Sequence, residues 1–142
     1  MKETSQNEKW NRDDVRVQTF AVPFNLKEIQ DNITINTNSI SNLSKEQIIN
    51  QGLKFHTEGN ILEAIKYYKF FIKQGFNDHR IFSNYGVILK GLGKLEQAEC
   101  FYRKAVHMKP DFANAYSNLG NILKDLGKLN EAELFLRKAI EL

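Results

Sequence analysis

The sequence repeats itself every 34 residues from position 45 to its last residue. Six sets of three residues recur at this interval, which chance does not explain. A fixed period of this length is typical of solenoids, in which each unit is one supersecondary element stacked on its neighbours. We assign two full units, 45–78 and 79–112, and a third, 113–142, that stops four residues short. The repeated sets are Asn50, Asn84 and Asn118; Gly52, Gly86 and Gly120; Gly59, Gly93 and Gly127; Ile61, Leu95 and Leu129; Ala64, Ala98 and Ala132; and Tyr67, Phe101 and Phe135.

Each unit is predicted to form two antiparallel helices. In the third unit, Tyr116, Leu119 and Leu123 recur at helical spacing, and Gly127 then supplies the left-handed conformation that ends a helix. A second stretch with helical periodicity follows over residues 129–140. One such hairpin is too small to bury both of its apolar faces, so neighbouring units must stack.

Small residues at two repeated positions indicate how the helices of a hairpin pack. Gly120 on the first helix and Ala132 on the second lack bulk, so the two backbones can approach closely. A charge at either position would not be accommodated. The predicted helix starts follow the same register, because Ser44 and Gln47 form a capping box before the first unit and Asp78 precedes the second.

Residues 1–44 differ in composition from the array. They are rich in Asn, Ser, Thr and charged residues, and they bury too little apolar surface to offset the entropy of ordering. We therefore expect a largely flexible N-terminal segment. Two roles stay open: a tether, or an internal ligand that docks on the array through Phe20, Phe24, Leu26 and Ile29.

The signature of the second and third units resembles the tetratricopeptide repeat, of the bacterial type. The third unit is also similar to repeats that recruit protein substrates to O-linked N-acetylglucosamine transferases. The residues that carry the resemblance are Ala115, Tyr116, Asn118, Leu119, Gly120, Gly127, Ala132, Leu136 and Ala139, with Pro110 between the units.

The first unit departs from this signature at three positions. Phe71 replaces a small residue of the second helix, Phe76 stands where proline is expected, and Gln51 replaces an apolar residue. We expect looser or altered packing at that end of the array.

The resemblance implies an all-α, right-handed superhelical solenoid of three hairpins, whose first helices line a concave groove that binds a peptide or protein. From these positions we take Asn50, Arg80, Asn84, Lys90, Asn114, Asn118, Asn121 and Lys124 as candidate peptide-binding residues. By register, the full lining is Glu46, Ile49, Asn50, Leu53 and His56; Arg80, Ser83, Asn84, Val87 and Lys90; and Asn114, Ser117, Asn118, Asn121 and Lys124.

The three asparagines at one repeated position, Asn50, Asn84 and Asn118, are candidate ligand contacts. An amide side chain offers both a donor and an acceptor, which matches the backbone of an extended peptide regardless of its sequence. The alternative is that these side chains only cap or bridge neighbouring helices. Both interpretations stay open from the sequence, although asparagine is disfavoured inside helices.

Two functions are compatible with such a groove. The first is a protein–protein interaction module or scaffold. The second is a substrate-recruiting arm of a larger or associated glycosyl- or sulfotransferase.

Composition and motifs argue against other classes. The net charge of +3 is far below what phosphate neutralisation by a nucleic-acid-binding protein requires, and no stretch is long and apolar enough to span a membrane. Cys100 is the only cysteine, and His56, His79 and His107 fall at different repeat positions, so we expect solvated histidines and no metal site. The glutamates of the second helices, Glu96 with Glu99 and Glu131 with Glu133, are interpreted as a solvated face. We expect a cytoplasmic chain without a cofactor or enzymatic activity.

The C-terminal end of the array is apolar. Leu136, Ala139 and Ile140 are predicted to face the place where another unit would stack. The candidates to cover this face are further repeats, the N-terminal segment, or a second copy of the chain, which would give end-to-end self-association through residues 129–142.

Overall fold

The protein is described here by a computed structural model of residues 39–142, and the regular secondary structure in that range is helical. Six helices pair into three antiparallel hairpins, α1–α2, α3–α4 and α5–α6, which stack in chain order. The predicted all-α repeat solenoid is confirmed. The helices are α1 Lys45–Thr57, α2 Ile61–Lys73, α3 His79–Gly91, α4 Leu95–Met108, α5 Ala113–Asp125 and α6 Leu129–Glu141.

The helix boundaries follow local signals in the sequence. The Gln47 N–H donates to Ser44 Oγ at 3.2 Å and the Ser44 N–H donates to Gln47 Oε1 at 2.8 Å, which is the predicted capping box. The Asp78 side chain accepts hydrogen bonds from the first N–H groups of α3. The first helix of each unit ends before a glycine with positive φ, at Gly59, Gly93 and Gly127.

The close approach inside each hairpin depends on the repeated glycine. A Cβ atom at Gly120 would lie 2.5 Å from Leu136 Cγ and 3.2 Å from the Ala132 carbonyl oxygen. The equivalent Cβ at Gly86 would lie 2.7 Å from the ring of Tyr102. The alanine position is buried in all three hairpins. The predicted packing of small residues is therefore confirmed.

The first unit packs differently from the other two. Phe71 is fully buried where unit two has the buried Ala105, and its ring lies 5.4 Å from that of Phe76, the residue that replaces proline. The Lys45 ammonium lies 5.9 Å and 5.8 Å from the two ring centroids. The helices α2 and α3 approach each other over a shorter stretch than α4 and α5 do. The predicted altered packing is confirmed.

The residues just before α1 contribute to the core. We assigned residues 39–44 to the flexible segment, but the Ile40 side chain is buried in the main core cluster and Leu43 packs against that cluster. The Leu43 N–H donates to the Ile40 carbonyl at 3.0 Å, which closes a turn. The expectations for residues 1–38, including the docking of Phe20 and its neighbours, lie outside the described residues.

Candidate functional site

The first helices of the three units, α1, α3 and α5, lie side by side and form one surface, here called the first-helix face. Two ion pairs join neighbouring helices across it: Arg80 Nη2 lies 3.4 Å from Glu46 Oε1, and Lys90 Nζ lies 3.1 Å from Asp125 Oδ2. Both ion pairs therefore link side chains of adjacent first helices.

The three asparagines at one repeated position occupy this face but differ in their surroundings. Asn50 is exposed, whereas Asn84 and Asn118 are half-buried. Asn84 Nδ2 donates to the Arg80 carbonyl oxygen of its own helix at 2.8 Å. This bond uses one N–H of the amide, and an amide side chain has a second N–H and a carbonyl oxygen as well.

Arg80, which we selected as a groove cation, is held by neighbouring carboxylates. Its Nη2 lies 2.9 Å from Asp78 Oδ2, in addition to the contact with Glu46. The hydrogen bond to Asp78 raises the pKa of Arg80. Desolvation alone would raise the pKa of Asp78, but hydrogen bonds from Arg80 and from backbone N–H groups outweigh it and lower that pKa. Arg80 therefore also stabilises the start of α3.

The remaining candidates lie on α5 and at the end of α3. Asn114, Lys90 and Lys124 are exposed, and Asn121 is half-buried. All eight selected side chains are thus at least partly accessible to solvent.

Three other side chains that we placed in the groove lining are buried instead. Ile49 and Ser83 occupy the same repeated position, and both are buried. The ring of His56 is also buried, and its Nδ1 lies 3.1 Å from the Tyr68 hydroxyl. Burial lowers the pKa of His56. The prediction of a solvated His56 is wrong, because its side chain turns inward to bond the second helix.

A charge network between units two and three was missed by the sequence analysis. Glu99 is 8% exposed, so the prediction that it lies on a solvated face is wrong. Its two carboxylate oxygens accept hydrogen bonds at 2.8 Å from Arg103 and from Lys128 of the next unit, and Arg103 also binds Glu131. Desolvation by itself would raise the pKa of Glu99, but these hydrogen bonds lower it. In the sequence, Glu99 and Arg103 recur one unit later as Glu133 and Arg137, and this recurrence could have indicated the network.

Neither metal binding nor membrane insertion finds support among the described residues. Among residues 39–142, no group of three or more His, Cys, Asp or Glu side chains lies close enough together to hold a metal ion. Cys100 is exposed. No helix within this range has the length and apolarity needed to cross a membrane.

Three stacked helical hairpins define this chain as an α-helical repeat protein. Residues 79–112 and residues 113–142 each match a family model of the tetratricopeptide repeat. Residues 79–142 therefore consist of tetratricopeptide repeats, and such repeats suggest a protein–protein interaction module. A comparison with curated proteins found no match.

Proposed function

We propose that the first-helix face binds an extended segment of a partner protein. The observation that carries this proposal is the recurrence of asparagine at one position of three adjacent helices, at Asn50, Asn84 and Asn118, with each side chain at least partly accessible. Helix interiors disfavour asparagine. Of the three, only Asn84 has a described side-chain hydrogen bond that supports its own helix.

The chemistry of this face favours the backbone of the ligand over its side chains. Amide groups supply donors and acceptors to an extended chain whatever its sequence. The charges of Arg80 and Lys90 are partly neutralised by Asp78, Glu46 and Asp125. We therefore expect modest discrimination between ligand sequences and weak dependence of affinity on salt.

The test begins with partners captured by the full chain, whose affinities for defined variants are then measured by titration calorimetry. Asn50→Ala and Asn118→Ala are each expected to weaken binding about fivefold to tenfold, since a net hydrogen bond contributes about 1 kcal/mol. Asn130→Ala is the matched control, because Asn130 is exposed at the start of α6, away from the face. Equal affinity of all four proteins would contradict the proposal.

The alternative, a substrate-recruiting arm, uses the same face. It would be favoured if the captured proteins included a glycosyl- or sulfotransferase together with acceptor proteins, and if Asn118→Ala released the acceptors only. Capture of other proteins by the same face favours the scaffold.

A further inference from the structure

The two ends of the array present opposite chemistry. The outer face of α1 carries Gln47, Gln51 and Lys54, which are exposed. At the same repeated positions the second and third units carry residues that are buried against the preceding hairpin. The first unit therefore has the polar outer face of a terminal repeat. The buried counterparts are Ile81, Tyr85 and Ile88 in unit two, and Ala115, Leu119 and Ile122 in unit three.

The outer face of α6 repeats the surface on which α5 rests. On α4, Tyr102 and Ala105 are buried, and Val106 packs against the cluster formed by Phe82, Ala105 and Ala115 of unit three. Their counterparts on α6 are Leu136, Ala139 and Ile140, and Ile140 is 67% exposed. Within residues 39–142, no further helix packs on this face.

The charges on α6 repeat those of α4 as well. Glu133 and Arg137 form an ion pair at 2.6 Å, as Glu99 and Arg103 do at 2.8 Å one unit earlier. On α4, this pair is completed by Lys128 and Glu131, which belong to the next unit. On α6, both members of the pair stay largely exposed. The outer face of α6 thus combines an apolar patch with an ion pair, in the same arrangement as the face of α4 on which the third hairpin packs.

We propose that the outer face of α6 binds a helical hairpin of a partner protein, which continues the solenoid in trans. The first helix of that hairpin presents aliphatic and small residues at the spacing of Ala115, Leu119 and Ile122. Its second helix begins with Lys and Glu three residues apart, as Lys128 and Glu131 are in unit three. This surface is distinct from the first-helix face.

The first unit of a second copy of the chain does not offer this hairpin. The outer face of its first unit carries Gln47, Gln51 and Lys54, which would bury polar groups against Leu136 and Ile140. At the positions of Lys128 and Glu131 the first unit has Asn60 and Glu63, so the lysine that would bind Glu133 is missing. Head-to-tail stacking of copies is therefore disfavoured.

The probe is a fluorescent peptide with the sequence of residues 111–131, which carries the apolar stripe, Lys128 and Glu131. The matched control peptide, residues 43–63, has the same length and register but the polar stripe of unit one. Binding to the full chain is followed by fluorescence anisotropy. We expect the 111–131 peptide to bind at least tenfold more tightly than the 43–63 peptide.

Variants of the full chain locate the binding site. Ile140→Lys is expected to weaken binding of the 111–131 peptide at least tenfold. Leu134→Lys is the control, because Leu134 is also 67% exposed but shares its repeated position with the exposed Cys100. Arg137→Glu should weaken binding, and a peptide with Glu131→Lys should recover part of the loss.

Three results of the peptide experiments would overturn the proposal. These are equal affinity for the two peptides, indifference of binding to Ile140→Lys, or no binding of the 111–131 peptide. A dimer of the full chain in analytical ultracentrifugation that Ile140→Lys dissociates would identify a second copy, packed tail to tail, as the occupant, and would also overturn it.

Discussion

The first and second hairpins share one fold, and their equivalent positions fall into two groups, those that keep the same residue and those that do not. Positions that face the partner helix of the same hairpin keep their residues: Gly52 matches Gly86, and Ala64 matches Ala98. Some positions that face another unit differ, as Phe71 differs from Ala105, whereas the accessible asparagine recurs at Asn50 and Asn84. The contacts within a hairpin therefore fix their residues, whereas some of the contacts between units vary with the place of the unit in the array.

The largest effect is expected from a charge at the conserved alanine. Ala98 has no exposed surface, so Ala98→Asp would bury a carboxylate between α3 and α4 and lower the free energy of unfolding by at least about 4 kcal/mol. Urea denaturation measures the loss. Cys100→Asp, two residues away on the exposed side of α4, should change stability little. Similar stabilities of the two variants would show that the assigned register is wrong.

The second-largest loss of stability is expected from a change at Phe71, where the first and second units differ. Phe71→Ala removes a fully buried ring that packs on Phe76, and the resulting cavity should destabilise the chain by about 3 kcal/mol. Restoring the family signature with Phe71→Ala and Phe76→Pro together should not recover this loss, because the spacing of α2 and α3 is adapted to the rings. Wild-type stability of the double variant would contradict this explanation of the first unit.

Substitution of the repeated glycine should change stability less, by an amount that depends on the side chain that the glycine contacts. Gly86→Ala gains helix propensity of about 1 kcal/mol, but its Cβ meets the buried ring of Tyr102, and we expect a net loss of about 1–2 kcal/mol. Gly120→Ala should be tolerated better, since Leu136 is only half-buried and can move outward. Thermal melting of both variants checks the order, and a larger loss for Gly120→Ala would contradict the account of an open α6.

The smallest effect is a pH dependence that arises mainly in the first unit. Because the pKa of the buried His56 is lowered, the unfolded chain takes up a proton below about pH 6.5 that the folded chain does not. Stability from this group is present at pH 7.5 and is lost as the pH falls from about 6.5 through the lowered pKa. The pKa values of Asp78 and Glu99 are also lowered, so the stability that these carboxylates contribute is lost only near or below the ordinary pKa values of Asp and Glu.

The control for this pH effect is the half-buried His79, whose pKa is lowered mainly by desolvation. Melting temperatures at pH 7.5 and 5.5 are compared for the wild type, His56→Gln and His79→Gln. His56→Gln should flatten the dependence more than His79→Gln. An unchanged slope in His56→Gln would remove His56 as its source.

Local sequence signals predicted the hairpins because those signals act within a few residues. Ser44, Asp78 and Gly127 begin or end helices through their own hydrogen bonds and backbone angles. Periodicity then placed Gly120 next to Ala132, whose carbonyl oxygen would lie 3.2 Å from a Cβ at Gly120. These features need no knowledge of the neighbouring unit.

Side-chain direction and partners across units could not be predicted in the same way. The burial of His56 depends on the Tyr68 hydroxyl, and the burial of Glu99 depends on Lys128, 29 residues away. The core role of Ile40 likewise depends on the hairpin on which it packs. The candidate site was therefore predicted by repeated position, whereas the pairing of Arg80 and the back-bonding of Asn84 required coordinates.

The most direct test of the central claim is amide hydrogen exchange along the full chain at neutral pH. Within residues 39–142, three stacked hairpins in one 34-residue register predict six protected segments that coincide with the helices. Fast exchange is expected at the turns, including those at Gly59, Gly93 and Gly127. Weaker protection is expected in α6 than in α4, because no other helix of residues 39–142 packs on the outer face of α6. Protected segments that ignore this spacing would contradict the account.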